Sequence, residues 1–429
     1  MSTRRADPAY WRGGWVRFRE PVEDVAVCRP TVVAAHDGTL VRGLYWTPRS
    51  NPRPRVAVIA AHPRVDFSQH YAFPALLRAG YACLGANTRA LNNDVNCVHE
   101  QLLLDLAAYM TWLRAQGVGQ VVWLGNSGGG ALGCFYQAQA KMAPSARLAV
   151  TPAGRPVALA EAEMPAVDAM MIVSAHCGQG LVLAETIDPA VTDEDDALAS
   201  DPALDMYDPA NGFAPPPAWS RYSAEFVARY RAAQRARVAR IDARARELID
   251  GERQARAALH DPGFAALPLA AQRAVQRRAA FQPVMTIYRT LANLHYVDRS
   301  LDPSPRGYGS LVSDRPHLAN YQLAGFARLQ TPDAWLSTWS AASSNAGIPQ
   351  TAAAVTEPVL VATAGRDLDV YPRTHTATIL AALGSGDRTV IDFPDSAHYF
   401  EPADGEAPAA SVAPLTRGLV AWLAARCPL

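Results

Sequence analysis

Two short runs rich in β-forming apolar residues, 30–35 and 40–46, lie either side of the polar break His36-Asp37-Gly38. An Asp-Gly turn between β-rich runs predicts an antiparallel hairpin. Beyond the break at Pro52 and Pro54 the pattern changes. Residues 55–61 (RVAVIAA) are almost continuously apolar and β-branched, as expected of a strand buried on both faces of a parallel sheet. Comparable runs recur at 81–86, 121–125, 169–174, 359–364 and 389–393, several followed by helical stretches such as 100–115 and 374–383. This alternation predicts an α/β fold, a doubly wound and mostly parallel sheet.

The alternation stops after Cys177 and resumes near Val359. In between, Val227, Tyr230, Val238, Ile241, Ala245 and Leu248 fall at steps of three and four residues or their sums, with Ser223 placed as an N-cap. A mainly helical insertion over 177–351, between late core strands, follows from this. It divides the core into 30–176 and 352–429. Residues 1–29, with Tyr10, Trp11, Trp15 and Phe18 among arginines, form an N-terminal extension expected to cross the insertion or the sheet edge. The arginines of the long helix (Arg229, Arg231, Arg235, Arg237, Arg240, Arg244) read as a solvated face offset by Glu225, Asp242 and Glu247, with an anion-binding face as the sharper alternative.

Composition adds limits. The chain has 429 residues, 49% hydrophobic and 19% charged, with 40 basic residues balancing 40 acidic ones. That places it among globular proteins and excludes the basic footprint of a general nucleic-acid binder. A zero balance also favours an uncharged or weakly charged small-molecule substrate. Lys141 is the only lysine, so single arginines carry little information. No apolar stretch follows Arg4-Arg5, and no run approaches 18 apolar residues, so a cytoplasmic protein without a membrane segment is expected. The six cysteines are scattered without C-x-x-C pairing, which fits buried thiols better than a disulfide frame or a zinc site.

The chemistry concentrates at residues 121–130, Val-Val-Trp-Leu-Gly-Asn-Ser-Gly-Gly-Gly: a buried strand running into G-x-S-x-G and then a helical stretch over 131–140. A serine between strand and helix must turn sharply, and glycines two residues either side let the flanking backbones meet without Cβ clashes. Ser127 is thereby projected from the sheet. The string lacks the Lys-Ser/Thr ending of a phosphate loop and the spacing of a dinucleotide fingerprint.

On these residues the sequence resembles the α/β-hydrolase superfamily over 30–176 and 352–429. The resemblance implies a nucleophile, then an acid after a late strand, then a histidine after the last strand. Ser127 takes the first role. His398, in Pro394-Asp395-Ser396-Ala397-His398 after the final strand, takes the last as general base. For the acid there are two candidates: Asp367 lies one residue short and Asp369 one residue long of the usual spacing from Gly365, and Asp367 is preferred because it is closer to the strand end. The resemblance also implies an oxyanion hole of two backbone N–H groups, one from Gly128 and one from the turn Ala61-His62-Pro63-Arg64-Val65. Pro63 has no N–H, so Arg64 is the expected donor and Val65 the second choice. His62 then reads as a turn residue, and His70 and His176 as pocket lining.

Metal ligation by His176 with His62 or His70 lacks supporting spacing, and Cys177 lacks a neighbouring base, so no metal, no cofactor and no cysteine nucleophile are expected. The insertion falls where relatives carry a cap, and its aromatics are expected to serve mainly as its own core, some lining a pocket for an apolar or aromatic acyl group. The resulting expectation is a serine esterase or lactonase. The alternatives are the same triad used for carbon–carbon bond hydrolysis or acyl transfer, and a non-catalytic binding protein on this fold.

Overall fold

The computed structural model describes residues 13–429, so Tyr10 and Trp11 lie outside the described residues. Eight strands form one sheet: β1 (Ala26–Ala34), β2 (Leu40–Pro48), β3 (Val56–Ala61), β4 (Ala82–Ala86), β5 (Gln120–Asn126), β6 (Ala169–Val173), β7 (Val359–Ala364) and β8 (Arg388–Phe393). Their spatial order is β1-β2-β4-β3-β5-β6-β7-β8. β2 runs antiparallel to both its neighbours and all other pairs are parallel. Every residue of β3, β4, β6 and β7 is buried. That is why those segments read as unbroken apolar runs, whereas β8, at the sheet edge, has no fully buried residue.

Helices α1 (Phe73–Arg78), α2 (His99–Ala115) and α3 (Gly128–Ala140) connect the first strands. Leu102, Leu106, Met110, Leu132 and Phe135 of α2 and α3 join one face of the sheet in a single apolar cluster. Leu76 and Leu77 of α1, with Leu415, Leu419 and Trp422 near the carboxyl terminus, cover the other. Both faces are thus wound, as the alternation predicts.

The amino-terminal boundary differs from expectation. β1 begins at Ala26, inside the segment read as an extension, and contains Pro30 opposite Leu44. As an edge strand it tolerates a residue without an N–H. Residues 13–25 pack against the sheet core: Phe18 meets Trp46 and Phe73 edge-on, and Tyr71 N–H donates to the Val16 carbonyl at 3.1 Å. Five cysteines are buried as free thiols, and Cys28 on β1 is exposed.

Between β6 and β7 the chain leaves the sheet. It builds α4 (Gln179–Thr186), α5 (Ala224–Leu259) and α6 (Leu269–Ala280) with many short irregular turns. Ser223 Oγ accepts the Phe226 N–H at 3.1 Å, so the helix starts where the N-cap signal places it. Tyr230, Val238, Ile241, Ala245 and Ile249 pack against Leu291, Leu294, Tyr296, Trp335 and Trp339 in a third apolar cluster. Ile249 is buried, whereas its neighbour Leu248, expected on the apolar face, is half-buried.

Arg229, Arg235, Arg240 and Arg244 of α5 are exposed, as the solvated-face reading expects, and Arg237 departs from it. Arg237 is buried, binds Glu194 with two nitrogens (3.0 and 2.8 Å) and donates to the Asp188 and Tyr288 carbonyls. Arg240 shares Glu194, and Arg244 meets Asp195. Asp242, expected to offset this face, instead accepts from the Trp335 indole at 2.6 Å and the Ser340 hydroxyl at 2.8 Å. The helix is a tie bar for the insertion's own loops, a pairing across more than forty residues that helical periodicity cannot register. Arg237→Ala leaves the Glu194 carboxylate buried without its main partner and is expected to cost about 3–5 kcal/mol in urea unfolding. Arg235→Ala, on the exposed face, is expected to cost under about 0.5 kcal/mol.

Candidate active site

Ser127 stands between β5 and α3 with φ 54° and ψ −125°, a backbone state that non-glycine residues rarely adopt. Its neighbours enforce this. A Cβ on Gly125 would lie 2.7 Å from the Gly129 oxygen, and one on Gly129 would lie 2.3 Å from the Ala61 oxygen. Only glycine admits these approaches, which explains both motif glycines physically. The turn is pinned by Ser127 N–H to the Val173 carbonyl (3.1 Å), Gly130 N–H to the Ser127 carbonyl (3.1 Å), and Asn126, which donates to Val173 (2.9 Å) and accepts from the Tyr71 hydroxyl (2.9 Å). Gly128 opens α3, so its N–H has no partner within the helix and points with the positive end of the helix dipole.

The loops after β7 and β8 bring a carboxylate to an imidazole. His398 Nδ1 and Asp367 Oδ2 are 2.7 Å apart, both residues 1% exposed. Of the two candidate aspartates, it is Asp367 that meets His398. The Asp369 and Val370 N–H groups donate to Asp367 Oδ1 at 2.8 and 2.9 Å, holding the other oxygen toward the ring. Asp369 thus supports its neighbour through its backbone. Burial opposes a charged His398, but the Asp367 charge and hydrogen bond, with lesser help from Asp369 and Glu401, carry it to about 9. Burial lifts Asp369 to about 6.

The two loops are tied together. Gly365 N–H donates to the Phe393 carbonyl and Arg366 N–H to that of Ser396, both at 2.9 Å. Arg19, from the amino-terminal segment, donates to the Tyr399 and Phe400 carbonyls and to the Ser411 hydroxyl. The extension therefore braces the loop that carries His398. Ser127 lies beside the Tyr399 phenol, and among the described residues Ser127 and His398 form no hydrogen bond with each other. Catalytic contacts of this kind are often long until substrate binds.

The turn after β3 is arranged differently from expectation. The Arg64 and Val65 N–H groups, the two candidates for the second oxyanion donor, both donate to His62 Nδ1, at 3.1 and 3.0 Å. Proline at position 63 leaves a tight turn closed on the His62 ring. The Arg64 guanidinium, 4% exposed, meets Asp94 at 2.7 Å, lies 4.6 Å over the Trp339 ring and donates to Gln179 Oε1. His176 Nδ1 accepts the Gly178 N–H at 3.1 Å. A Cβ on Gly128 would lie 2.9 Å from His62 Nε2, 3.1 Å from Gln179 Nε2 and 3.3 Å from His176 Nε2, so these side chains crowd the residue after Ser127. His70 is elsewhere, buried between Phe67 and Tyr71 with burial pushing it down to about 3. Burial pushes the Cys177 thiol up to about 12, which keeps it unreactive. Among the described residues no cluster of metal-ligating side chains occurs, and no helix is long and apolar enough to cross a membrane.

Sequence reasoning missed Gln179 and the pairing of Arg64 with Asp94. Gln179 stands two residues beyond His176-Cys177 at the end of β6, and position after a core strand is the one signal that marks it.

The His398–Asp367 pair has a spectroscopic consequence. In an NMR titration of histidine ring signals, His398 is expected to lose its proton near pH 9. Asp367→Asn is expected to move that midpoint down by more than a pH unit, and Asp369→Asn by less. A midpoint near 6.5, unmoved by Asp367→Asn, contradicts the pairing.

No protein-family model matches the chain, and no curated protein sequence does. Among solved structures, it is similar to the esterase domain of a Rhodothermus marinus protein, with 12% identity over 92% of this chain and 98% of that one and a TM-score of 0.43. It is also similar to the alpha/beta hydrolase GrgF from Penicillium sp. sh18, with 11% identity over 94% and 100% of the two chains and a TM-score of 0.47. A third, the Pyrococcus horikoshii acylaminoacyl peptidase, shows 10% identity and a TM-score of 0.42, 94% of this chain matching 42% of that one. With its strand order, its single antiparallel second strand and Ser127 at the tight turn after β5, the chain has the fold of the α/β-hydrolase superfamily.

Proposed function

We propose that the protein is a cofactor-independent serine hydrolase that cleaves a carboxylic ester or lactone through an acyl-enzyme on Ser127. The observation that carries this reading is a strained serine at the end of β5, against the Tyr399 phenol, together with a buried imidazole–carboxylate pair, His398 and Asp367, in the loops after β8 and β7. Such strain costs about 1–3 kcal/mol and persists where surrounding structure enforces it; a purely structural turn gains nothing from it.

In the proposed mechanism Ser127 Oγ attacks the carbonyl carbon while its proton passes to His398 Nε2. Asp367 holds Nδ1–H, fixes the tautomer and stabilises the imidazolium. The Gly128 N–H donates to the developing oxyanion. His398 then protonates the leaving alkoxide, activates water against the acyl-enzyme, and regenerates the serine as the acid departs. The insertion between β6 and β7 serves as the cap over this site, where acyl-chain choice resides. Most of its large aromatics are occupied in its own core: Phe226, Tyr230, Trp335 and Trp339 are all buried there. The substrate is accordingly a small, neutral, apolar or aromatic ester, a reading supported by the protein's zero net charge.

A fluorophosphonate probe is expected to label the wild-type protein and not Ser127→Ala, read by intact mass. In a panel of p-nitrophenyl esters, lactones, thioesters and β-diketones of graded acyl size, turnover is expected for esters or lactones. An unlabelled wild type, or turnover of the diketones alone, contradicts the proposal.

A further inference from the structure

The loop that carries Asp367 is held from the side of the insertion. After Asp367 three consecutive backbone N–H groups have assigned acceptors: those of Asp369 and Val370 donate to Asp367 Oδ1, and that of Tyr371 donates to His375 Nδ1 at 3.3 Å. With Nδ1 accepting, the proton of the neutral His375 ring lies on Nε2. Nε2 faces Glu185 Oε2 of α4 at 3.4 Å, which makes a second imidazole–carboxylate pair on the same loop. One residue earlier, the Thr374 N–H and hydroxyl both donate to Asp302 Oδ2, at 2.8 and 2.7 Å. Asp302 is buried and its other oxygen has no hydrogen-bond partner among the described residues. Burying a carboxylate is costly, so this one is better explained by what it holds than by stability. The His295 ring stacks on Tyr371 at 4.2 Å and 17°, and the Tyr371 hydroxyl donates to the Leu368 carbonyl at 3.1 Å. Glu185, His295 and Asp302 all belong to the insertion, and their contacts meet on residues 371–375.

Resting on the serine-hydrolase reading above, we infer that the insertion positions the triad acid: Glu185 through His375, and Asp302 through Thr374, hold the loop after β7 so that the Asp367 carboxylate stays aimed at His398 Nδ1. Glu185 and Asp302 are positioning residues, acting through Asp367. The lever is short. Two N–H groups fix Asp367 Oδ1, and the next one along the chain is the one that His375 accepts, so a shift of the His375 ring moves the turn that orients the carboxylate. The loop carrying His398 is braced separately, by Arg19. Acid and base are thus held by different parts of the chain, and the 2.7 Å contact between them depends on both. Activation of Ser127 depends on that contact, and a misplacement of about 1 Å in a catalytic group costs up to about a hundredfold in rate.

The test pairs the kinetics of fluorophosphonate labelling with NMR titration of the His398 ring, both on the full-length protein. Glu185→Leu removes the acceptor for His375 Nε2–H, and Glu185→Gln keeps one. Glu185→Leu is expected to lower the maximal labelling rate about tenfold, with the probe's half-saturation concentration within about threefold of wild type. It is also expected to move the His398 midpoint down from near 9 by about half a pH unit or more, because the carboxylate that raises it is less well aimed. Glu185→Gln is expected to restore both readouts. Thr374→Val, at an exposed position, removes the hydroxyl donated to Asp302 and is expected to shift both in the same direction by less; it tests the second tie and stands in if Glu185→Leu fails to fold. If the wild type is labelled at Ser127 and the variants keep its maximal rate, or lose rate with the His398 midpoint unmoved, the positioning role is wrong and the hydrolase reading stands. If the wild type is not labelled, both fall.

Discussion

The structure turns on one backbone constraint, the positive φ of Ser127 where β5 becomes α3. A serine there is strained, so the surroundings must leave it no alternative. Two glycine contacts too close for any Cβ, the hydrogen bond to the Val173 carbonyl, and the Asn126 tether supply that enforcement. These contacts require β3, β5 and β6 to lie in fixed register, which the apolar clusters on both faces of the sheet provide. Stability of the core and placement of the nucleophile are therefore the same problem. An interior of close-packed, doubly covered parallel strands is stiff enough to hold a local cost of this size.

A second theme is the use of charge. The chain's zero balance conceals a set of buried or half-buried ionic ties, each serving position: Arg237 with Glu194 in the insertion, Arg64 with Asp94 beyond β3, His398 with Asp367 at the strand ends. Burial pushes the Asp94 carboxyl up against the pull of Arg64, so that pair is not an obvious source of stability. Its evident consequence is orientation of the Gln179 amide. Arg19 plays a comparable part at the other side of the site, where it grips carbonyls of the loop carrying His398. The amino-terminal segment is thus continuous with the site's scaffold.

Much of this was legible in the sequence because it depends on local rules. Buried strands appear as apolar runs, the serine turn as G-x-S-x-G, and the start of α5 as Ser223, all signals confined to a few residues. The ends of β1 were harder, since an edge strand with four consecutive exposed positions has weak patterning. What could not be read were pairings across long separations: the α5 arginines with Glu194 and Asp195, and Gln179 with Arg64. Spacing from Gly365 did not separate Asp367 from Asp369, and Asp367 was preferred as nearer the strand end; in the structure Asp367 meets His398 and the Asp369 N–H donates to it. The oxyanion reading rested on counting backbone N–H groups after Pro63. That count missed that one histidine ring nitrogen, His62 Nδ1, can absorb two of them.

The central claim is that Ser127 becomes covalently acylated during turnover. The direct measurement is rapid acid quench of the protein with a p-nitrophenyl ester in the millisecond range, followed by peptide mass spectrometry. An acyl mass increment on Ser127, formed with the burst of nitrophenol and lost as acid is released, is the predicted result. Ester turnover without any adduct on Ser127, or with the increment on another side chain, contradicts it.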